Sequence, residues 1–180
     1  MFYSLNLERY FNSTGMTSFD ESSKGNLDEF AKLSFPKKFL KENLYFKDVP
    51  FKLNLDTVSD NISLKNQMKI EMKRREINEI YILGACNNGN FSTKMDFYDK
   101  ENLVLSKHIY FTDLMEENSF RDNIKFIEVP YVHSPRGKLS IKSSLWLEKV
   151  SLEKEILVDS LAFEENPFVH IFAVTLGGRK

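Results

Sequence analysis

The second half of the chain is a succession of apolar stretches, four to nine residues long, that closes on Phe168-Val-His-Ile-Phe-Ala-Val-Thr-Leu176. Polar turns carrying Asn or Gly separate them, and no long helical period of apolar residues intervenes. Stretches of this length and spacing read as strands that bury a face against a second sheet. The pattern predicts an all-β sandwich of two packed antiparallel sheets with about ten strands, and at most short helices near the N-terminus.

The segments give this expectation its detail. Residues 67–73 place Met68, Ile70 and Met72 on one face and charged residues on the other, which is a half-buried strand of period two. The charged residues 71–76 predict a polar turn before the next strand at 77–83. Tyr81-Ile-Leu83 is apolar on both faces, as in the middle of a sheet. Asn87-Asn-Gly-Asn90 is a turn signal. Residues 93–98 and 103–111 pair as a hairpin across Asp99-Lys-Glu-Asn102. Further strands are expected at 124–131, 139–147, 155–161 and 168–176, with a turn at Ser134-Pro-Arg-Gly137. The first third is less regular. Residues 12–26 read as a long loop, residues 39–44 as a turn of helix, and residues 44–55 as two short strands about Lys47-Asp48.

Length fits one β-sandwich domain over residues 1–180. Sixteen Phe and seven Tyr against one Trp supply the aromatic bulk of a sandwich core. With 25 Lys and Arg against 26 Asp and Glu, there is no global field to draw in nucleic acid. The single cysteine, Cys86, excludes an internal disulfide and a Cys-rich zinc site, and it reads as a small buried thiol at a strand end. No apolar run of about 18 residues offers a membrane span, and the opening residues lack the basic stretch and apolar core of a leader. A soluble, cytoplasmic protein is expected.

Chemistry-bearing residues are sparse. His108, His133 and His170 lie far apart, outside any metal-binding spacing. His108 and His170 sit in apolar strands and read as satisfied strand histidines. His133 stands beside the turn that holds Arg136, where both side chains either donate to a polar ligand or brace the turn. Trp146 falls on the face of its strand opposite Leu145 and Leu147; it is a stacking platform for a sugar ring or lies covered by local structure. Residues 20–28 offer oxygen ligands for a structural Ca²⁺, without the spacing of an EF-hand loop. The expectation is that the chain carries no cofactor, a Ca²⁺ at residues 20–28 being only the alternative. Asp113, Glu116 and Glu117 are expected to be solvated. No nucleophile elbow, phosphate loop or dinucleotide fingerprint is present.

Four segments carry a resemblance. They are Leu5-Asn-Leu-Glu-Arg-Tyr-Phe-Asn12, Ile80-Tyr-Ile-Leu-Gly-Ala-Cys-Asn-Asn-Gly89, Val129-Pro-Tyr-Val-His133 and Val169-His-Ile-Phe-Ala-Val-Thr-Leu176. In order and spacing the chain resembles the galactose-binding-like, jelly-roll β-sandwich modules of bacterial polysaccharide-degrading proteins. The resemblance implies a jelly roll that binds carbohydrate through its loops, and it carries no active site onto any residue here. The expected function is a non-catalytic carbohydrate-binding module, or one for a related polar small ligand, with Asn87, Asn88, Tyr131, His133, Arg136 and Trp146 as candidate contacts. A protein-interaction module, working as a homo-oligomer or with a partner protein, is the alternative. A small sugar-active hydrolase or lyase is the third, and no pair of carboxylates can be picked out for it.

Overall fold

The computed structural model describes residues 1–178. In chain order its strands are β1 (Phe2–Ser4), β2 (Met16–Thr17), β3 (Phe35–Pro36), β4 (Asn43–Phe46), β5 (Val49–Lys52), β6 (Ile62–Leu64), β7 (Met68–Cys86), β8 (Phe91–Asp99), β9 (Asn102–Phe111), β10 (Ile124–Val129), β11 (Val132–Ser134), β12 (Gly137–Leu139), β13 (Ser143–Phe163) and β14 (Asn166–Gly177). The helical content of the described residues is three 3-10 turns, at Glu8–Tyr10, Phe19–Lys24 and Lys37–Phe39. The all-β expectation with short helices near the N-terminus therefore holds.

Eight strands form one antiparallel sheet in the order β1-β14-β7-β13-β8-β9, with β10 added to β13 and β6 to β14. β7 has 19 residues and β13 has 21. A straight strand of that length would span about 60 Å, whereas a domain of this size has a radius of gyration of about 16 Å. Both strands must bend. They do so where their register breaks, between Ser151 and Ile156 and again between Val158 and Ser160. Bulges of this kind leave residues unpaired and turn the strand.

The bend lets one ribbon serve two layers. Before it, β13 pairs with β10 and with the second half of β7; after it, with β8 and the first half of β7. Ile80 and Ile82 from one half, and Ile70 and Ile77 from the other, meet in a single core with Phe97, Ile109, Phe111, Val158 and Leu161. The sheet is thus curled around that core. The end of β9 returns to the end of β7, where Cys86 N–H donates to the Thr112 carbonyl at 3.3 Å and Leu114 N–H donates to the Cys86 carbonyl at 2.7 Å. Cys86 is buried, as its neighbours predict, and burial pushes its thiol pKa up.

The outer face of β7, β13 and β14 carries a second core. Tyr81, Leu83 and Ala85 alternate with Ile80 and Ile82, and Leu145 and Leu147 lie beside them. In β14 the register shifts between Ile171 and Ala173, so Phe172 and Ala173 both face this second core. Leu27, Leu33, Phe35, Phe51 and Leu53 cover it from the N-terminal third. That cover is pinned by side chains binding backbone. The Asp60 carboxylate accepts from Gly15 N–H at 2.8 Å and Met16 N–H at 2.9 Å. Asn61 donates to the Ser13 carbonyl at 3.1 Å and shares a 2.8 Å hydrogen bond with His170 Nδ1.

The structure corrects three expectations about the fold. Residues 71–76 are not a turn, because β7 runs through them, and Arg74 there forms a bidentate pair with Asp99 at 2.6 and 2.7 Å. The strands expected at 139–147 and 155–161 are largely one strand, β13; Leu139 belongs instead to β12. The Asp28 carboxylate is occupied by Phe30 N–H, Ala31 N–H and the Asn87 amide, and Glu21 pairs with Lys24. Residues 20–28 therefore do not converge on a cation, and among the described residues no group of three or more His, Cys, Asp or Glu is placed to hold a metal. Asp113 is buried rather than solvated, accepting from Gly89 N–H at 2.7 Å and Met115 N–H at 2.8 Å. Among the described residues no helix is long and apolar enough to cross a membrane.

Candidate functional site

Tyr131 and His133 lead to the site. The β11–β12 hairpin turns through Pro135 and Arg136, and Gly137 follows at φ +101, a conformation glycine adopts without strain. The hairpin lies on the N-terminal cover because Ser34 and His133 exchange backbone hydrogen bonds at 3.1 and 2.8 Å. β2 and β3 pair in parallel beneath it, Met16 with Phe35 and Thr17 with Pro36. The 3-10 turn from Phe19 brings that ring edge-on to His133, with centroids 5.8 Å apart.

These pieces enclose a pocket of ≈ 330 Å³ lined by Thr17, Ser18, Phe19, Pro36, Lys37, Lys38, Tyr131, His133 and Lys138. Its floor is polar and closed. Thr17 Oγ1 lies 2.6 Å from Ser34 Oγ and 2.9 Å from His133 Nδ1, and all three residues are buried. No hydrogen bond within the described residues engages His133 Nε2. Burial holds the His133 pKa below the ordinary imidazole value, and the charges of Lys138 and Lys38 lower it further. The ring is therefore neutral near pH 7 and can donate or accept one hydrogen bond through Nε2.

The walls are cationic and aromatic. Lys38 Nζ lies 5.3 Å from the Tyr131 ring centroid, and Lys138 Nζ 5.1 Å from it. Phe39 packs edge-on to Tyr131 at 5.4 Å and so fixes the ring that the two ammonium groups flank. No ion pair among the described residues includes Lys37, Lys38 or Lys138. None of the lining residues is a carboxylate. Lys38 and Lys138 thus place two ammonium groups beside an aromatic ring with no carboxylate in the lining, while Lys37 also faces the charges of Glu21 and Asp60.

The family model of the AziU2-like beta-sandwich domain matches residues 3–180. The chain belongs to the AziU2-like β-sandwich family. No curated protein matches it.

Within this AziU2-like domain the six sequence-derived candidates are scattered. Tyr131 and His133 line the pocket. Arg136 is exposed at the hairpin turn, outside the lining. Asn87 is buried and donates to the Asp28 carboxylate at 3.0 Å, while Asn88 takes the positive φ (+62) of the turn that follows β7. Both asparagines hold the Asp28 loop against the end of β7. Trp146 offers no open face: it is 2% exposed, its indole N–H donates to the Asp113 carbonyl at 3.1 Å, and Lys125 lies over its ring. The reading of Trp146 as a stacking platform is corrected on that ground, because the 112–114 segment closes over its strand.

The lysines and Phe19 escaped notice in the sequence. Lys37-Lys38 directly follows Pro36, and Lys138 directly follows Gly137. Basic residues placed just after turn-forming residues were the available signal. Nothing in the sequence showed that residues 37 and 138, a hundred positions apart, share a wall.

Proposed function

We propose that this chain is a non-catalytic binding module for a carbohydrate, or a related polar small ligand, that carries a negative charge. The observation that supports it is the pocket wall in which Lys38 and Lys138 flank Tyr131 with no carboxylate among the lining residues. The lysines neutralise the acidic group beside the Tyr131 ring, and Ser18 and His133 Nε2 select hydroxyl geometry. The volume suits one sugar ring with an acidic substituent. The resemblance to galactose-binding-like jelly-roll modules favours the same loop-borne binding. Two-carboxylate sugar hydrolysis finds no acid in this lining.

Calorimetric titration with glucuronate and glucose 6-phosphate, against glucose and galactose, tests this reading. The acidic ligands are expected to bind, more weakly as salt rises, and to lose affinity in Tyr131→Ala and Lys138→Ala. Equal binding of the neutral sugars, or binding untouched by both substitutions, overturns it. An assembly role is the second reading, favoured by one feature: β9 lies at the edge of the sheet with Leu103 55% and Val104 42% exposed. A stable dimer in light scattering, lost in Val104→Lys, would carry that reading.

A further inference from the structure

The open end of the curled sheet holds a second cavity, distinct in place and chemistry from the lysine pocket. It is a groove of ≈ 940 Å³ between the segment that follows β1 and the first half of β7. Tyr3, Leu5, Ile70 and Met72 form its apolar part, and all four belong to or pack on the enclosed core. Arg9, Lys73 and Arg75 supply cations, against the carboxylates of Glu8 and Glu71. Glu71 is engaged with Arg9 at 3.6 Å. No ion pair among the described residues includes Lys73 or Arg75.

Arg75 is the unusual element. Arg75 pairs with Val158 and Ile77 with Ile156, so Arg75 projects from the same face of β7 as the core residue Ile77. The register break beside it, three residues of β7 against one of β13, turns the strand at the rim. Its guanidinium lies 4.0 Å from the Tyr3 ring centroid, and Nε donates to the Lys73 carbonyl at 3.2 Å. Nη1 is closed off from solvent and has no hydrogen-bond partner among the described residues. No ion pair among the described residues neutralises this guanidinium at the mouth of an apolar core, and its charge is open to a counter-ion.

We infer that this groove is a binding site for an amphipathic anion: an unbranched apolar body laid over Leu5, Ile70 and Met72, and a carboxylate received by Arg75 and Lys73. Mouths of curled and closed sheets are common places for such ligands. The inference is independent of the lysine pocket, since the two linings share no residue.

The test is a ¹H–¹⁵N NMR titration of the intact protein with decanoate below its micelle concentration, with decanol as the uncharged control. Decanoate is expected to move the amides of Leu5, Ile70 and Met72 along saturable curves, and decanol to bind more weakly. Arg75→Gln is expected to weaken decanoate binding about tenfold or more. Because Arg75 also packs on Tyr3, Lys73→Gln is the second variant; Lys73 is exposed, and its replacement leaves the Tyr3 contact in place. Equal binding of decanol, no saturable shift at the groove, or shifts unchanged in both variants overturns the inference.

Discussion

The enclosed core and the N-terminal cover are built by different means. The enclosed core rests on period-two alternation along long strands: Ile80 and Ile82 inward, Tyr81 and Leu83 outward, with backbone ladders on both sides. The cover over residues 13–61 has few ladders. It is held by individual side chains that bind backbone, chiefly Asp60, Asn61 and Asn12, the last of which exchanges two hydrogen bonds with the Ser63 backbone at 3.0 and 2.7 Å. The lysine pocket lies where this cover meets the β11–β12 hairpin. Regular structure supplies a platform here, and the segments laid on it supply the pocket's polar and charged groups.

The largest blow to the enclosed half is Phe97→Ala. Phe97 is fully buried, and its removal is expected to destabilise the whole molecule by about 3–5 kcal/mol, read as a lowered denaturation midpoint at unchanged slope. A small loss there would mean that the curled sheet is not the main source of stability.

A pH titration separates the halves next. Glu148 is buried, and desolvation pushes its pKa up to about 7. An acid whose pKa is raised on folding contributes least when ionised, so stability falls as pH rises from 4.5 through 7. Glu148→Gln is expected to become more stable relative to the parent across that window, by about 3 kcal/mol in total. Where the cover meets β14, Asp60 is pushed up to about 6 and His170 of β14 down to about 4, both by burial, and Asn61 joins them. The first loses stability and the second gains it as pH rises between those values, so they oppose each other. Equal pH profiles for Glu148→Gln and parent would remove the contrast.

Asp60→Ala strands the Gly15 and Met16 amides and is expected to cost about 1–3 kcal/mol locally. Hydrogen exchange should speed up about tenfold or more at residues 13–17 while Ile80 and Ile82 stay protected. Loss of protection at both places alike would show the cover and core to be one cooperative unit. The smallest expected effect is that of Lys138→Ala, within about 0.5 kcal/mol of parent stability, while anion binding in the pocket falls. A large stability change would recast that lysine as structural.

The same contrast explains what could be read in advance. The alternation at residues 77–83, the hairpin across Asp99-Lys-Glu-Asn102, the β4–β5 pair about Lys47 and the buried Cys86 were all legible, since each is local. The continuity of β7 and β13 was not, because a run of charged residues within a strand looks like a turn in one dimension. Asp113 was missed for a similar reason: its burial depends on the Asn87-Asn-Gly-Asn90 turn folding over it. Two of the pocket's three aromatic and imidazole side chains, Tyr131 and His133, were visible. Its charge was invisible, because three lysines on separate segments converge only once the cover is in place.

β14 has a consequence for the order in which the molecule can assemble. It lies between β1 and β7, one of the earliest strands on one side and the long ribbon on the other, and its residues enter both cores. A nascent chain emerging from the ribosome without residues 166–177 leaves Phe35 without Phe172, Asn61 without His170 and β1 without a neighbour. Completion therefore waits for residues 166–177. Contacts that span most of the sequence are slow to form, and apolar ribbon surface stays open in the meantime, the period in which a chaperone would matter most to this protein.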